Sequence, residues 1–272
     1  MHTYLHTDPM IHDNAVIITF AIMFAIMRRI IMSSNALFND VEIVAHRGYA
    51  AVHPENTMAA FRRSIQMGAD TLEIDVHHSK DGIPVVIHDD TLDRTTTGTG
   101  RIREKTVAEL QQVDAGKKFS PEFAGCGVPL LEEVLELCGG KVGLQLELKE
   151  HNTEEELRAI LHLLNQYDMT ERTMFISFYP DNLRILRSLN SDIELALLSS
   201  ELVDLKAVAE LGNATLLIQL STVLEHPQLV AETQAAGVGL GVWTVRRLED
   251  AYKLVEIGVR RLTTDIPLYR EA

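Results

Sequence analysis

From residue 41 onward, short apolar runs alternate with amphipathic stretches, the pattern of βα units laid around a parallel sheet. Eight runs predict strands, at 42–46, 71–76, 142–148, 174–177, 194–198, 215–219, 239–244 and 260–264. The spacing of apolar residues predicts helices between them at 57–67, 130–138, 154–166, 181–189, 202–211, 226–236 and 247–257. Thr153 with Glu156 three residues on has the form of a capping box, and Gly68, Gly139, Gly212, Gly237 and Gly258 stand where helices should stop. Eight strands with intervening helices predict a closed (β/α)8 TIM barrel, which typically takes about 250 residues.

A ninth apolar run, 84–88, follows the second strand after too few residues for a helical crossover, so it should fold back as an antiparallel hairpin strand. With the turn centred on Asp81-Gly82, His88 falls opposite Asp75. Residues 89–128, rich in Thr, Gly and charge, then form a short capping insertion over the barrel mouth. The domain expectation is an N-terminal extension, 1–38, followed by one barrel, 41–270.

Composition narrows the function classes. Hydrophobic residues make up 46% and charged residues 24% of the chain, which suits a globular domain with a sizeable core. A net charge of -14 with no Lys/Arg run longer than two residues excludes a nucleic-acid surface, which needs a basic stripe. The acidic balance suits a cytoplasmic protein, and Cys126 and Cys138 fit neither a metal pair nor a disulfide framework. Nothing in the pattern fixes an oligomeric state.

The apolar stretch 15–27 is short of the ~20 residues that span a bilayer, and its arginines, Arg28 and Arg29, follow rather than precede it. Three readings stay open: translation starting at Met32, which is favoured; a weak membrane anchor at the bilayer surface; or an extra helix packed on the barrel. Membrane contact is therefore expected, if at all, only through residues 15–31.

The chemistry-bearing residues fall at the C-terminal strand ends, where such barrels build their sites. His46 and Arg47 end the first strand, Glu73 and Asp75 the second, Glu147 and Lys149 the third, and Trp243 and Asp265 the last two. Glu73 and Asp75, two apart on a strand, share a face, and with Leu72 and Ile74 pointing to the helices that face is the interior. Glu147 joins them by the same alternation. Three inward carboxylates repel unless a cation or proton separates them, and an all-oxygen donor set suits one Mg2+ or Ca2+ rather than zinc; pairing with Arg47 and Lys149 without a metal is the other reading. Asn56 reads as a helix N-cap, and Asp89 as a partner for His88 or the cap of a turn. His53, His77 and His78 read as surface or hairpin residues.

In order, the chain carries His46-Arg47-Gly48, Pro54-Glu55-Asn56-Thr57, Glu73-x-Asp75, Lys80-Asp81-Gly82, His88-Asp89, Leu146-Glu147-Leu148-Lys149, Ser177-Phe178, Trp243-Thr244-Val245 and Thr264-Asp265-x-Pro267. This series resembles the glycerophosphodiester phosphodiesterase family over about residues 42–268, in its bacterial cytoplasmic form. The resemblance implies metal-dependent hydrolysis of glycerophosphodiesters, small molecules such as deacylated phospholipids, to sn-glycerol 3-phosphate and an alcohol. It implies His46 and His88 as general acid and base, and Glu73, Asp75 and Glu147 as metal ligands. Arg47 and Lys149 would bind phosphate, with Glu55 beside the metal site, Trp243 packing on glycerol, and Ser177 and Phe178 lining the pocket. A lysophospholipase D-like activity on the same fold is the alternative. Arg246 departs from the pattern, since the family often has Asn after Trp-Thr-Val.

Overall fold

The computed structural model describes residues 36–269. The chain divides into a unit comprising Met1–Asn39 with Tyr269–Ala272 and a second unit, Asp40–Leu268. Of the first, the described residues form a 3-10 turn, Ala36–Phe38. Residues 15–31 lie outside the described residues. The expectation of membrane contact is corrected: among the described residues no helix is long and apolar enough to cross a membrane.

The second unit is a closed barrel. Eight parallel strands run β1 (Glu42–His46), β2 (Thr71–His78), β4 (Gly143–Leu148), β5 (Thr173–Ser177), β6 (Glu194–Ser199), β7 (Ala214–Gln219), β8 (Gly239–Val245) and β9 (Arg261–Thr264), with a short β3 (Pro84–Val86) antiparallel to β2. β1 pairs with both β2 and β9, which closes the ring. Each strand splits its side chains between two faces. On β1 and β2, Ile43, Ala45, Leu72 and Ile74 are buried under helices, while Val44, His46, Glu73 and Asp75 occupy the inward positions.

The helices are α1 (Met58–Gln66), α2 (Val107–Leu110), α3 (Leu131–Cys138), α4 (Glu154–Gln166), α5 (Pro180–Leu189), α6 (Leu205–Ala209), α7 (Leu220–Glu225), α8 (Leu229–Ala235) and α9 (Leu248–Glu256). α4 starts at the expected box, with Thr153 Oγ1 accepting from the Glu156 amide and Glu156 accepting from the Thr153 amide. Its apolar face buries Leu157, Ile160 and Leu164 completely, each contributing about 1.5–3 kcal/mol. The run expected as one helix at 226–236 is preceded by α7, which begins directly at the end of β7.

The hairpin sits one residue away from the expected register: Val76 faces Val86, and the Ile87 amide donates to the Asp75 carbonyl at 2.9 Å. The turn is Lys80-Asp81-Gly82, closed by Ser79 and Ile83, with Gly82 at φ +76°. A three-residue loop ending in a left-handed glycine shifts the pairing by one relative to a turn centred on Asp81-Gly82. The insertion after it carries its own apolar cluster, in which Leu92, Ile102, Leu110, Ala115 and Val128 pack with Val85 and Ile87 of the hairpin.

Candidate active site

The turn after β1 builds one wall of the mouth. Arg47 has φ +52° and its amide donates to Glu73 Oε2 at 2.8 Å, while Gly48, at φ +82°, lies so close to α1 that a Cβ there would meet Ala60 Cβ at 2.7 Å. Only glycine permits that approach. Asn56 is not the helix cap; Thr57 is, its hydroxyl accepting from the Ala60 amide. The Asn56 carboxamide instead grips Asp75 twice, donating to Oδ2 at 2.7 Å and accepting from the Asp75 amide at 3.3 Å.

Glu73, Asp75 and Glu147 each place a carboxylate oxygen within 4.8 Å of the others. Arg47 Nε lies 3.3 Å from Asp75 Oδ2; Lys149 Nζ lies 3.3 Å from Asp75 Oδ1 and donates to Glu147 Oε1 at 2.7 Å. Glu73 Oε1 and Asp75 Oδ1 are buried and accept no hydrogen bond. Burial, reinforced by Asp75 and Glu147, pushes the Glu73 carboxyl well above the usual range, and burial with Asp75 pushes Glu147 up to about 7. Against burial, Lys149 and Arg47 hold Asp75 well below it. Orphaned, crowded, hard oxygen donors of this kind fit a divalent cation, and these three residues could hold one.

The two histidines stand on the same cavity, of about 260 Å³, whose lining combines the polar His46, Arg47, Glu73, His88, Glu147 and Lys149 with the apolar Ile176, Phe178, Leu198, Leu217 and Trp243. The apolar side continues as a buried cluster with Met174 and Ala196 inside the barrel. His46 Nδ1 lies 2.5 Å from Asp265 Oδ1, and His88 Nδ1 lies 2.6 Å from Asp89 Oδ1. Burial favours a neutral Asp265, but His46 and Arg246 hold its carboxyl below the usual range; Arg94 foremost does the same for Asp89. Burial, assisted by Arg47 and Lys149 and opposed by Asp75, draws His88 below its ordinary value.

The remaining expected residues divide. Trp243 and Phe178 meet edge to face at 5.5 Å on the cavity wall, with Trp243 Nε1 donating to the Leu217 carbonyl. Glu55 stands behind the wall, bonded to Arg47 at 3.1 Å and to Arg94. Ser177 is fully buried, donating to the Leu148 carbonyl and accepting from the Tyr179 amide, and so shapes the turn after β5 instead of lining the pocket. His77 and His78 are buried, not superficial: they flank Glu150 at 3.8 and 3.6 Å, and His77 Nε2 donates to the His88 carbonyl at 3.1 Å. His53 is half-buried against the edge of Phe123. Asp265 and Asn56, read from sequence as a rim residue and a cap, prove to be the partners of His46 and Asp75. The Thr-Asp-x-Pro run and the Asn directly after Glu55 were their only signals.

The chain is similar to known proteins. Residues 46–268 match the Glycerophosphoryl diester phosphodiesterase family. A glycerophosphodiester phosphodiesterase of Caldanaerobacter subterraneus subsp. tengcongensis is 38% identical over 236 residues, covering 83% of this chain and 94% of that protein. Among solved structures, a phosphodiesterase of Oleispira antarctica in complex with the product sn-glycerol-3-phosphate superposes with a TM-score of 0.78 at 33% identity, covering 85% of this chain and 96% of that one. A glycerophosphodiester phosphodiesterase of Agrobacterium tumefaciens gives 0.74 at 30% identity, over 84% and 97%. With barrel, carboxylate cluster and family match in agreement, this chain belongs to the glycerophosphodiester phosphodiesterase family.

Proposed function

We propose that this enzyme, a metal-dependent phosphodiesterase that hydrolyses glycerophosphodiesters to sn-glycerol 3-phosphate and an alcohol, works through His46 and His88 as its proton-transfer pair. The observation that carries this reading is the cavity itself: two imidazoles held through Nδ1 by carboxylates, beside three converging acids.

Glu73, Asp75 and Glu147 would hold the cation, and their oxygen-only set favours Mg2+ or Ca2+. When bound, the cation supplies positive charge that stabilises the charge developing on the phosphoryl group. Arg47 clamps a phosphoryl oxygen and Lys149 adds a second positive charge, both kept ionised by the acids around them. An ionised carboxylate only accepts, so each histidine keeps its proton on Nδ1 and leaves Nε2 for the substrate. One ring, bare at Nε2, takes the proton of the attacking oxygen, while the other enters the reaction protonated on both nitrogens and delivers its Nε2 proton to the departing alkoxide, work typically worth about 10²–10⁴-fold in rate. Trp243 and Phe178, with the aliphatic wall, pack against the carbon skeleton of the glycerol and shield the reacting centre from water.

The reading is tested by measuring release of glycerol 3-phosphate from glycerophosphocholine and glycerophosphoethanolamine, and of lysophosphatidic acid and choline from lysophosphatidylcholine, side by side, with and without chelator. Turnover of the two deacylated diesters, lost on chelation, is expected. Turnover of lysophosphatidylcholine alone would move the enzyme to a lysophospholipase D activity.

A further inference from the structure

The two histidines have matching support that extends one residue beyond their aspartates. Behind His46, Asp265 turns its second oxygen to Arg246, whose Nε donates to Oδ2 at 2.7 Å. Behind His88, Asp89 turns its second oxygen to Arg94, whose Nε donates to Oδ2 at 2.7 Å while Nη2 reaches Oδ1 at 2.9 Å. The chain thus repeats one device, Arg–Asp–His, twice around one cavity. It builds it from unrelated segments: β1 with the end of the barrel for one, the insertion for the other. Arg94 does more than its counterpart. Its Nη1 and Nη2 also donate to Glu55 at 2.9 and 2.7 Å, and Glu55 in turn accepts from Arg47, so one guanidinium stands behind both a histidine and the phosphate-facing arginine. Arg246 makes a single such bond and its side chain is 67% exposed.

We propose that Arg94 and Arg246 are positioning residues, which act through Asp89 and Asp265 to hold His88 and His46 in the tautomer and ring orientation that present Nε2 to the substrate. The physical basis is that a carboxylate fixed on one oxygen by a guanidinium cannot swing its other oxygen away from the imidazole, and a forked, charge-assisted contact is the strongest way to fix it. Without the arginine the aspartate keeps its charge but gains freedom, and the imidazole divides between two tautomers, one of which offers the substrate N–H where a lone pair is needed. Arg94 should matter more than Arg246, because it holds two carboxylates with four hydrogen bonds against one.

This inference rests on the two-histidine reading of the site, and the experiment separates the two. Holoenzyme labelled with 15N-histidine is prepared as wild type, Arg94→Gln, Arg94→Lys, Arg246→Gln, His46→Ala and His88→Ala, the last two also assigning the resonances. The wild type should show both rings protonated on Nδ1. Arg94→Gln should shift the His88 signals toward a tautomer mixture, leave His46 unchanged, and lower kcat by about 10-fold or more, the usual scale for losing an outer partner of a site residue, with little change in KM. Arg246→Gln should do the reverse to the histidines, with a smaller loss of kcat. Arg94→Lys, which keeps charge without the fork, should fall between wild type and Arg94→Gln, and it stands in if the Gln variant fails to fold. Wild-type kcat and unchanged His88 signals in both Arg94 variants would overturn the proposal, as would a loss of kcat with both tautomers unmoved. Retained kcat in the His→Ala variants would remove the two-histidine reading itself, while the tautomer shifts still report on whether the arginines position the rings.

Discussion

The two ends of the barrel interior are lined with similar residues put to opposite use. At the N-terminal end, Arg261 donates from Nε to Glu42 at 2.5 Å and from Nη1 to Glu194 at 3.0 Å, with Thr71 completing Glu42 and Thr215 joining the same group. The glutamate side chains there are 30% and 37% exposed, so water shares in solvating them. At the C-terminal end, Glu73 and Asp75 are 2% and 0% exposed, and each has an oxygen that accepts no hydrogen bond, that of Asp75 meeting only the Lys149 charge at 3.3 Å. A satisfied, partly hydrated ion group ties strands together; a dry one with orphaned oxygens is unfinished until a ligand arrives. The contrast separates structure from function more sharply than a count of charged residues does.

Breaking the functional end should give the largest effect. Chelator on thoroughly stripped protein is expected to reduce glycerol 3-phosphate release to background, and Mg2+ or Ca2+ to restore it; full activity in excess EDTA would sink the metal assignment. Glu73→Gln, Asp75→Asn and Glu147→Gln should each weaken metal binding in calorimetric titration while circular dichroism stays unchanged. Next, His46→Ala and His88→Ala should each cost at least about 100-fold in kcat. A variant keeping more than about a tenth of wild-type kcat would make that histidine a bystander.

The opposite end should respond in stability alone. Arg261→Met is expected to lose about 2 kcal/mol in urea unfolding, the scale of hydrogen bonds to charged groups discounted for the exposure of the glutamates, with kcat per folded molecule unchanged. If activity fell while stability held, the two ends would not be distinct. The smallest effect concerns pH. In metal-free protein Glu147 titrates near 7 instead of its ordinary 4.5, and Glu73 is raised as well, so between those pH values the folded state holds more protons than the unfolded one. These two acids therefore contribute a fall in stability as pH rises through that window, which the lowered His88 opposes only near its upper end. Melting of chelated protein across it, compared with Glu147→Gln, should show a decline that the variant flattens; a rise in the wild type would count against the crowding of these acids.

The barrel was legible because its information is local: alternation on a strand and capping at a helix start are read within a few residues, as at Thr153. The inward set Glu73, Asp75 and Glu147 followed from the same alternation. What escaped were contacts between distant segments. His46 and Asp265 are 219 residues apart, and only barrel closure between β1 and β9 brings them together. Asn56 gave a local signal, but a misleading one, because the neighbouring Thr57 competes for the cap and frees the carboxamide for Asp75. The hairpin register slipped because a one-residue difference in loop length is invisible to alternation alone. Of the two readings of His77 and His78, surface or hairpin, the hairpin one holds; burial escaped notice because adjacent strand residues face opposite ways, and the hairpin buries one face while the loop after β4 covers the other.

The insertion's separate apolar cluster also bears on how the family could diversify. A segment that packs its own interior against the hairpin, and reaches the catalytic rim through the polar grip of Arg94, is close to an interchangeable cassette. Because that interior is separate from the barrel's, its outer loops can lengthen or shorten without repacking the eight-stranded scaffold. Grafts between relatives should then succeed when they carry across the hairpin apolar residues and the arginine together, since the first preserve the cassette's folding and the second its alignment with the reacting centre.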